Sequence, residues 1–202
     1  MVNFEKEKTA LLILDVQNDI VHLQGKYADF GTPKHFQERG TSTKIKALLD
    51  KARETKLKVI YVKFGMRDFV EELKDNHTPI LEAVSELGAC HLDKWGGEII
   101  DELKPVKGEE VIEKNRVNAF YNSKLEKILK EAGVETLLIT GVATNWVVEA
   151  TARHASDADY QVVIIEDCCS SMNQELHDFA ITNILPNVGV VVQSEEIISF
   201  LK

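Results

Sequence analysis

Cysteine is scarce in this chain, which contains three: Cys90, Cys168 and Cys169. They form no CxxC pair and are too few for several disulfide bonds, so a disulfide framework is not expected. The first residues, MVNFEKEKTALLILD, lack the long apolar core of a secretory signal, and no apolar run approaches the ~20 residues that a membrane span requires. These absences indicate a cytoplasmic protein.

Positive charge is also in deficit. The chain has 24 Lys and Arg against 33 Asp and Glu, a formal net charge of −9, and no Lys/Arg block. This balance argues against nucleic acid or an anionic membrane as the main partner, although a local cationic pocket still permits an anionic small molecule. The chain contains no repeat and no low-complexity tract, and 202 residues suit one domain spanning residues 1–202.

What the sequence does contain is an alternation of short apolar runs with amphipathic stretches. Runs rich in Val and Ile, bounded by polar residues, are typical of buried parallel strands. The predicted strands are Thr9–Leu14, Leu57–Phe64, Glu110–Glu113, Glu135–Thr140, Tyr160–Glu166 and Val188–Val192. The predicted helices are Ser42–Thr55, Asn122–Ala132, Asn145–Ser156 and Asn173–Leu185. The alternation predicts an α/β fold, a three-layer α/β/α sandwich with right-handed crossovers.

The segment Gly65–Gly108 is too long for a plain connection between strands. It contains two further predicted helices, Thr78–Leu87 and Gly96–Leu103. We expect this segment either to cover a binding site or to contact a neighbouring subunit.

Two charged residues follow predicted strands directly. Asp15 ends the first strand in LLILDVQND, and Lys114 ends the third in VIEKNRVNAF. Ligands of open parallel sheets bind at the carboxyl ends of the strands, where a carboxylate and a lysine together can act as an acid/base group with its electrostatic partner. Alone, Asp15 would be read as a turn cap and Lys114 as a side chain at the sheet rim.

The fourth predicted strand runs into GVATNWVVEATARHA, residues 141–155. Gly141 permits a tight turn, and Thr144 or Asn145 is a natural first residue for the helix. The free N–H groups of a helix start can bind an anion or a developing oxyanion, so Ala143–Val147 is a candidate cradle for substrate. A plain strand-to-helix turn is the alternative.

Several other chemistries find no support. The sequence has no P-loop, no GxGxxG after a strand and no GxSxG, and we therefore expect no nucleotide cofactor and no serine nucleophile. A D-x-H pattern, Asp75–His77 with His91 beyond it, lies well past the end of the second strand. The remaining histidines are scattered, so we expect neither a metal nor another cofactor.

Asp15 in LLILDVQND, Lys114 in EKNRVNAF and the GVATNWVVEATARHA segment resemble the isochorismatase-like hydrolases, also called cysteine hydrolases. The three motifs have the order of that superfamily and span nearly the whole chain. The resemblance implies a Rossmann-like six-stranded parallel sheet of order 3-2-1-4-5-6, a cis peptide at Val142–Ala143, a small-molecule substrate and a homodimer or homotetramer. It also implies an Asp–Lys–Cys triad, in which Asp15 is the acid/base and Lys114 orients it.

In that pattern the nucleophilic cysteine aligns with Val147, so thioester chemistry at this position is excluded. Three interpretations remain open. Water can attack a substrate that Asp15 protonates, as the resemblance implies for members without the cysteine. Cys168 or Cys169 can have taken over as the nucleophile of an amidohydrolase. Alternatively, the chain binds a small molecule without catalysis.

Other residues near the same strand ends are candidates for contact with substrate or its oxyanion. Arg67 follows the second strand and can pair with a substrate carboxylate, although an exposed loop arginine is as common. The set also includes Gln17, Phe120, Ala143, Thr144 and Trp146.

Overall fold

The computed structural model describes residues 4–76 and 78–201. Its centre is a six-stranded, all-parallel sheet of order β3-β2-β1-β4-β5-β6, which confirms the predicted fold class and strand order. The strands are β1 (Thr9–Leu14), β2 (Lys58–Phe64), β3 (Glu110–Lys114), β4 (Thr136–Val142), β5 (Gln161–Ser170) and β6 (Val190–Val192). The order places β1 between β2 and β4, so its carboxyl end lies at the middle of the sheet.

Alternation of side chains along β1 explains the three layers. Leu11 and Ile13 belong to one buried apolar cluster, while Leu12 and Leu14 belong to a second cluster on the opposite face. Because both faces are covered, every residue of β1 is apolar except its first, Thr9.

Helices cover each face. They are α1 (Asn18–Val21), α2 (Thr32–Glu38), α3 (Thr41–Glu54), α4 (Phe69–Leu73), α5 (Pro79–Leu87), α6 (Leu125–Glu131), α7 (Glu149–Asp157), α8 (Gln174–Phe179) and α9 (Ser194–Phe200). The apolar side chains of α3, which include Ile45 and Leu48, pack on the face of the sheet that contains Leu11. Leu125 of α6 packs on the opposite face. No helix in the described part of the chain is long and apolar enough to span a bilayer.

The predicted helix Gly96–Leu103 is wrong. The chain there forms two short 3-10 turns, Trp95–Gly97 and Asp101–Leu103. The backbone between them bonds to the segment after β1: Asn18 N–H donates to the Glu98 carbonyl at 2.9 Å, and Ile100 N–H donates to the Val16 carbonyl at 3.1 Å. These groups are therefore not available for a helical ladder.

Other helices differ from prediction at their ends. The helix predicted over Asn122–Ala132 begins only at Leu125, because Asn122 has a φ of 50° and Ser123 Oγ accepts from the Leu125 N–H. The helix predicted over Asn173–Leu185 ends at Phe179 and continues as a π-helical turn over residues 180–184.

The strand β5 is longer than predicted. A register shift between Ile139 and Gly141 of β4 lets β5 continue to Ser170, with Cys169 beside Gly141. Cys168 and Cys169 therefore lie within the strand rather than after it.

Candidate active site

The structure brings Asp15 and Lys114 together at the carboxyl edge of the sheet, although 99 positions separate them. Lys114 Nζ donates to Asp15 Oδ2 at 2.7 Å and to the carbonyl of Arg116 at 3.1 Å. It also lies 4.9 Å from the centre of the Phe64 ring, at the end of β2. Because β2 separates β1 from β3, the lysine side chain spans the end of that strand to reach the carboxylate.

Asp15 has an unusual backbone, with a φ of 56°. Its N–H still donates to the Val62 carbonyl at 2.9 Å, while its carbonyl accepts from the Gln17 N–H at 2.9 Å. This left-handed residue ends the strand and turns the carboxyl group toward Lys114. Holding a non-glycine residue there costs energy, which is typical of functional sites.

The two carboxyl oxygens of Asp15 have different environments. Oδ2 accepts from Lys114, whereas the buried Oδ1 has no hydrogen-bond partner among the residues that the structure describes. Burial raises the pKa of the Asp15 carboxyl to about 6, and the charge of Lys114 opposes this rise. Burial also lowers the pKa of the Lys114 amine, and the charge of Asp15 opposes that change. The carboxyl group can therefore exchange a proton near neutral pH.

The turn after β4 closes against this pair. Gly141 has a φ of 125°, and a Cβ atom there would lie 2.1 Å from the Leu14 carbonyl oxygen, so only glycine fits. The peptide bond Val142–Ala143 is cis, as the resemblance implies. Residues 144–148 then form a π-helical turn whose Trp146 and Val148 N–H groups donate to the Ala143 carbonyl at 3.1 and 3.2 Å.

A cavity of about 230 Å³ opens at this turn. Asp15, Lys114, Ala143, Trp146 and Val147 line it, so five of the predicted site residues meet at one place. The Val147 side chain, which the resemblance aligns with the family nucleophile, is 2% exposed and is an isopropyl group.

Most of the residues that line the cavity were not among the predicted site residues. The helix α5, part of the long segment Gly65–Gly108, contributes apolar side chains that include Leu81, Val84 and Leu87. Phe64, Tyr27 and Met172 complete much of the remainder. The predicted helix in this segment pointed to α5, but no local pattern marks residues such as Tyr27 and Met172, which reach the cavity from irregular parts of the chain.

Four predicted residues, the last of which is Thr144, contribute to neighbouring structure and do not line the cavity. Gln17 is fully buried, and its amide donates to the Phe64 and Gly97 carbonyls at 2.7 and 3.1 Å. It also accepts from the Phe64 N–H at 2.7 Å, which ties the ends of β1 and β2 together. Phe120 stacks on His154 with ring centres 4.4 Å apart.

Arg67 is the third of these residues. Its side chain is half-exposed and forms a bidentate pair with Glu113 at 2.8 and 3.0 Å, together with a 2.9 Å bond to Asp93. Neighbouring carboxylates therefore already occupy the guanidinium that was predicted to bind a substrate carboxylate.

Thr144 faces away from the cavity into a buried polar network that the sequence did not indicate. Its hydroxyl lies 2.8 Å from His177 Nδ1, and His177 Nε2 lies 2.9 Å from Glu166 Oε1. A carboxylate beside Nε2 favours the proton on that nitrogen, so Nδ1 accepts from the hydroxyl. Arg39 also contacts Glu166, whose pKa is held at about 2, chiefly by the bond from His177. The network anchors the turn.

The thiols of β5 do not reach the cavity. Cys168 packs in the apolar cluster on one face of the sheet and Cys169 in the cluster on the other, and both are fully buried. Burial raises the pKa of each thiol, which opposes formation of the reactive thiolate.

Within residues 4–76 and 78–201, no three His, Cys, Asp or Glu side chains form a group that could hold a metal ion. His77, of the D-x-H pattern Asp75–His77, lies outside the described residues.

Comparison with known proteins gives a consistent result. The model of the isochorismatase domain matches residues 9–196. Ureidoacrylate amidohydrolase RutB of Agrobacterium fabrum is 31% identical over 177 residues, which cover 82% of this chain and 77% of that protein. An isochorismatase family protein of Desulfovibrio vulgaris has a TM-score of 0.80 at 29% identity, covering 96% of this chain and 98% of the other. A cysteine hydrolase of Pseudomonas syringae shares the fold, with a TM-score of 0.81 at 21% identity over 98% and 94% of the two chains.

The family match covers the edge of the sheet that holds Asp15, Lys114 and the turn at Val142–Ala143. This chain therefore belongs to the isochorismatase family of hydrolases.

Proposed function

We propose that this chain hydrolyses a small molecule in the cavity beside Asp15, with water rather than a side chain as the nucleophile. One observation carries the proposal: Asp15 is buried with one oxygen on Lys114 and the other without a partner in the described structure, beside a cavity. Such a carboxyl group has a raised pKa and a free oxygen, which are the two properties of a general acid.

The proposed reaction begins with protonated Asp15 next to the leaving atom of the substrate. For an amide, water bonds to the carbonyl carbon, and Asp15 gives its proton to the leaving nitrogen as the C–N bond breaks. For an enol ether, Asp15 gives its proton to the alkene carbon and water bonds to the resulting cationic carbon; the C–O bond then breaks as the new hydroxyl proton passes to the leaving oxygen. The proton that the attacking water loses returns to the Asp15 carboxylate. Lys114 stays protonated throughout and stabilises the carboxylate form. The sum is hydrolysis, with no covalent intermediate at Val147.

The relatives suggest where to begin a substrate screen. Several are named ureidoacrylate amidohydrolase, which favours C–N bonds, and the domain name favours an enol-ether C–O bond. A panel of small amides and enol ethers is therefore the appropriate starting set.

The test uses Asp15→Asn with a substrate that the wild-type chain hydrolyses. The variant keeps the shape of the side chain but cannot supply the proton, so we expect activity to fall by at least about 100-fold. Treatment with a thiol-alkylating reagent should leave the rate unchanged, because the three cysteines are buried. Full activity of Asp15→Asn contradicts the proposal, and loss of activity on alkylation of Cys168 or Cys169 favours a thiol mechanism.

Val147 itself supports a second candidate function. A family member with an isopropyl group in place of the nucleophile can retain a binding cavity without catalysis. If no amide or enol ether in the panel reacts while some of them raise the Tm, the chain is a small-molecule-binding protein.

The proposal also includes a cytoplasmic location and assembly into a homodimer or homotetramer. The location rests on three cysteines that are all free and buried, and the assembly rests on the family resemblance. Light scattering coupled to size-exclusion chromatography measures the mass, and a monomer contradicts the second part.

A further inference from the structure

We propose that the Asp15 cavity accepts uncharged, largely apolar molecules and rejects carboxylates. This inference takes from the proposed function only that the cavity is the substrate site. It concerns the class of ligand rather than the reaction.

The first step is the charge of the cavity wall. Of the described residues that line it, only Asp15 and Lys114 carry charge, and they neutralise each other through the 2.7 Å bond. Most of the other side chains are apolar, and the hydroxyl groups of Tyr27 and Thr32 are neutral. A ligand carboxylate would therefore find no unpaired positive charge in the wall.

The second step is that two of the three N–H donors of Lys114 are already bonded to protein groups. One of its N–H groups serves Asp15 Oδ2 and another serves the Arg116 carbonyl, and the ammonium group lies over the face of Phe64. The Lys114 side chain has an exposed fraction of 0%. An entering anion would have to share this single buried ammonium group with Asp15, so two buried carboxylates would have one counter-ion between them.

The third step is that the nearby cationic side chains already bond to other groups of the protein. Arg67 pairs with Glu113 and Asp93. Arg116 donates to the backbone carbonyls of Asn115 and Glu72 at 2.7 and 3.2 Å. Lys26, next to Tyr27 of the wall, donates to the carbonyls of Leu87, the last residue of α5, and of Gly88, at 2.7 and 2.8 Å. None of these contacts leaves a cation directed into the cavity.

The size and the free oxygen define the ligand further. The cavity of about 230 Å³ is larger than the roughly 150 Å³ apolar cavity that takes a benzene ring. The one buried polar atom of the wall without a partner in the described residues is Asp15 Oδ1. It can accept an N–H when ionised or donate to an oxygen when protonated. The matching ligand is one small apolar body carrying a single neutral amide, hydroxyl or ether group.

Benzamide and benzoate form a matched pair for the test, since they have the same ring and the same number of non-hydrogen atoms. Binding of each to the unsubstituted 202-residue chain is measured at pH 7.5 by saturation-transfer NMR, with Kd from titration. We expect benzamide to bind at least about tenfold more tightly, because bound benzoate would be a buried charge without a counter-ion. Phenylacetamide and phenylacetate provide a second pair of different length.

Asp15→Asn provides the matched variant. It removes the carboxylate that pairs with Lys114, so benzoate can take its place beside the ammonium group, and we expect the preference to shift toward benzoate by at least about tenfold. Equal or tighter binding of the carboxylates to wild type, no binding of either amide, or an unchanged preference in the variant overturns the inference. Because no turnover is measured, a failed hydrolysis screen leaves this result standing, and a failed charge preference leaves acid catalysis by Asp15 standing.

Discussion

The rate of hydrolysis should fall as the pH rises through the pKa of Asp15. If the carboxyl group donates the first proton, kcat/KM follows the protonated fraction of the free enzyme. With a pKa of about 6, that fraction is about nine tenths at pH 5 and about one hundredth at pH 8, so we expect a decrease of about 90-fold between them. The measurement is the initial rate of hydrolysis of a neutral amide or enol ether without titratable groups, between pH 4.5 and pH 8.5.

The variant Lys114→Met tests whether this profile belongs to Asp15. The charge of Lys114 lowers the pKa of the carboxyl group against the effect of burial. Its removal should move the midpoint of the profile above 6. A rate that rises with pH would make Asp15 a general base, and a flat profile, or a midpoint that stays in place in the variant, would refute the reasoning.

Three further predictions concern stability and position 147, which the resemblance aligns with the family nucleophile. Lys114→Met should lower the free energy of unfolding by about 3 kcal/mol at pH 8 and by less at pH 5. The pKa of the Asp15 carboxyl group in the folded state lies above its ordinary value of 3.8. The contribution of this group to stability is therefore fully present below pH 3.8 and is lost as the pH rises through 6. Without the lysine the loss is larger. Urea unfolding at the two pH values measures this, and equal losses contradict it. Val147→Cys should give a thiol that iodoacetamide alkylates and a gain of amidase activity in the amide panel, because the side chain lines the cavity that holds Asp15. An inert thiol without such activity means that the rest of the machinery is not intact. Gly141→Ala should lower the free energy of unfolding by about 2 kcal/mol or more, and the Tm with it, since the new Cβ would lie 2.1 Å from the Leu14 carbonyl oxygen. A Tm within a degree of wild type refutes that close approach.

The parts of the fold that could be predicted are those that local pattern determines. The bounds of β1, Thr9–Leu14, are the same in sequence and structure, because the apolar run has polar residues on either side and both faces are buried. The prediction of a helix over Gly96–Leu103 was wrong for the opposite reason, because backbone groups of this segment bond to Val16 and Asn18, far away in the chain. No window of sequence contains that partner.

The candidate site divides in the same way. Asp15 and Lys114 were predictable because charged residues directly after buried strands meet at one edge of a parallel sheet. Arg67 and Thr144 were plausible by position, but their side chains bind Glu113 and His177 instead of facing the cavity. Which way a side chain turns depends on partners that only the folded structure brings together.

The protonation equilibrium of Asp15 tests the central claim most directly, and it needs no substrate. Carbon-13 NMR of the side-chain carboxyl groups, with Asp15→Asn to identify the resonance, follows the titration between pH 3 and pH 9. The account predicts a midpoint near 6 for Asp15. A midpoint at or below its ordinary value of 3.8 would mean that the group remains an ordinary carboxylate paired with Lys114 and cannot serve as the acid.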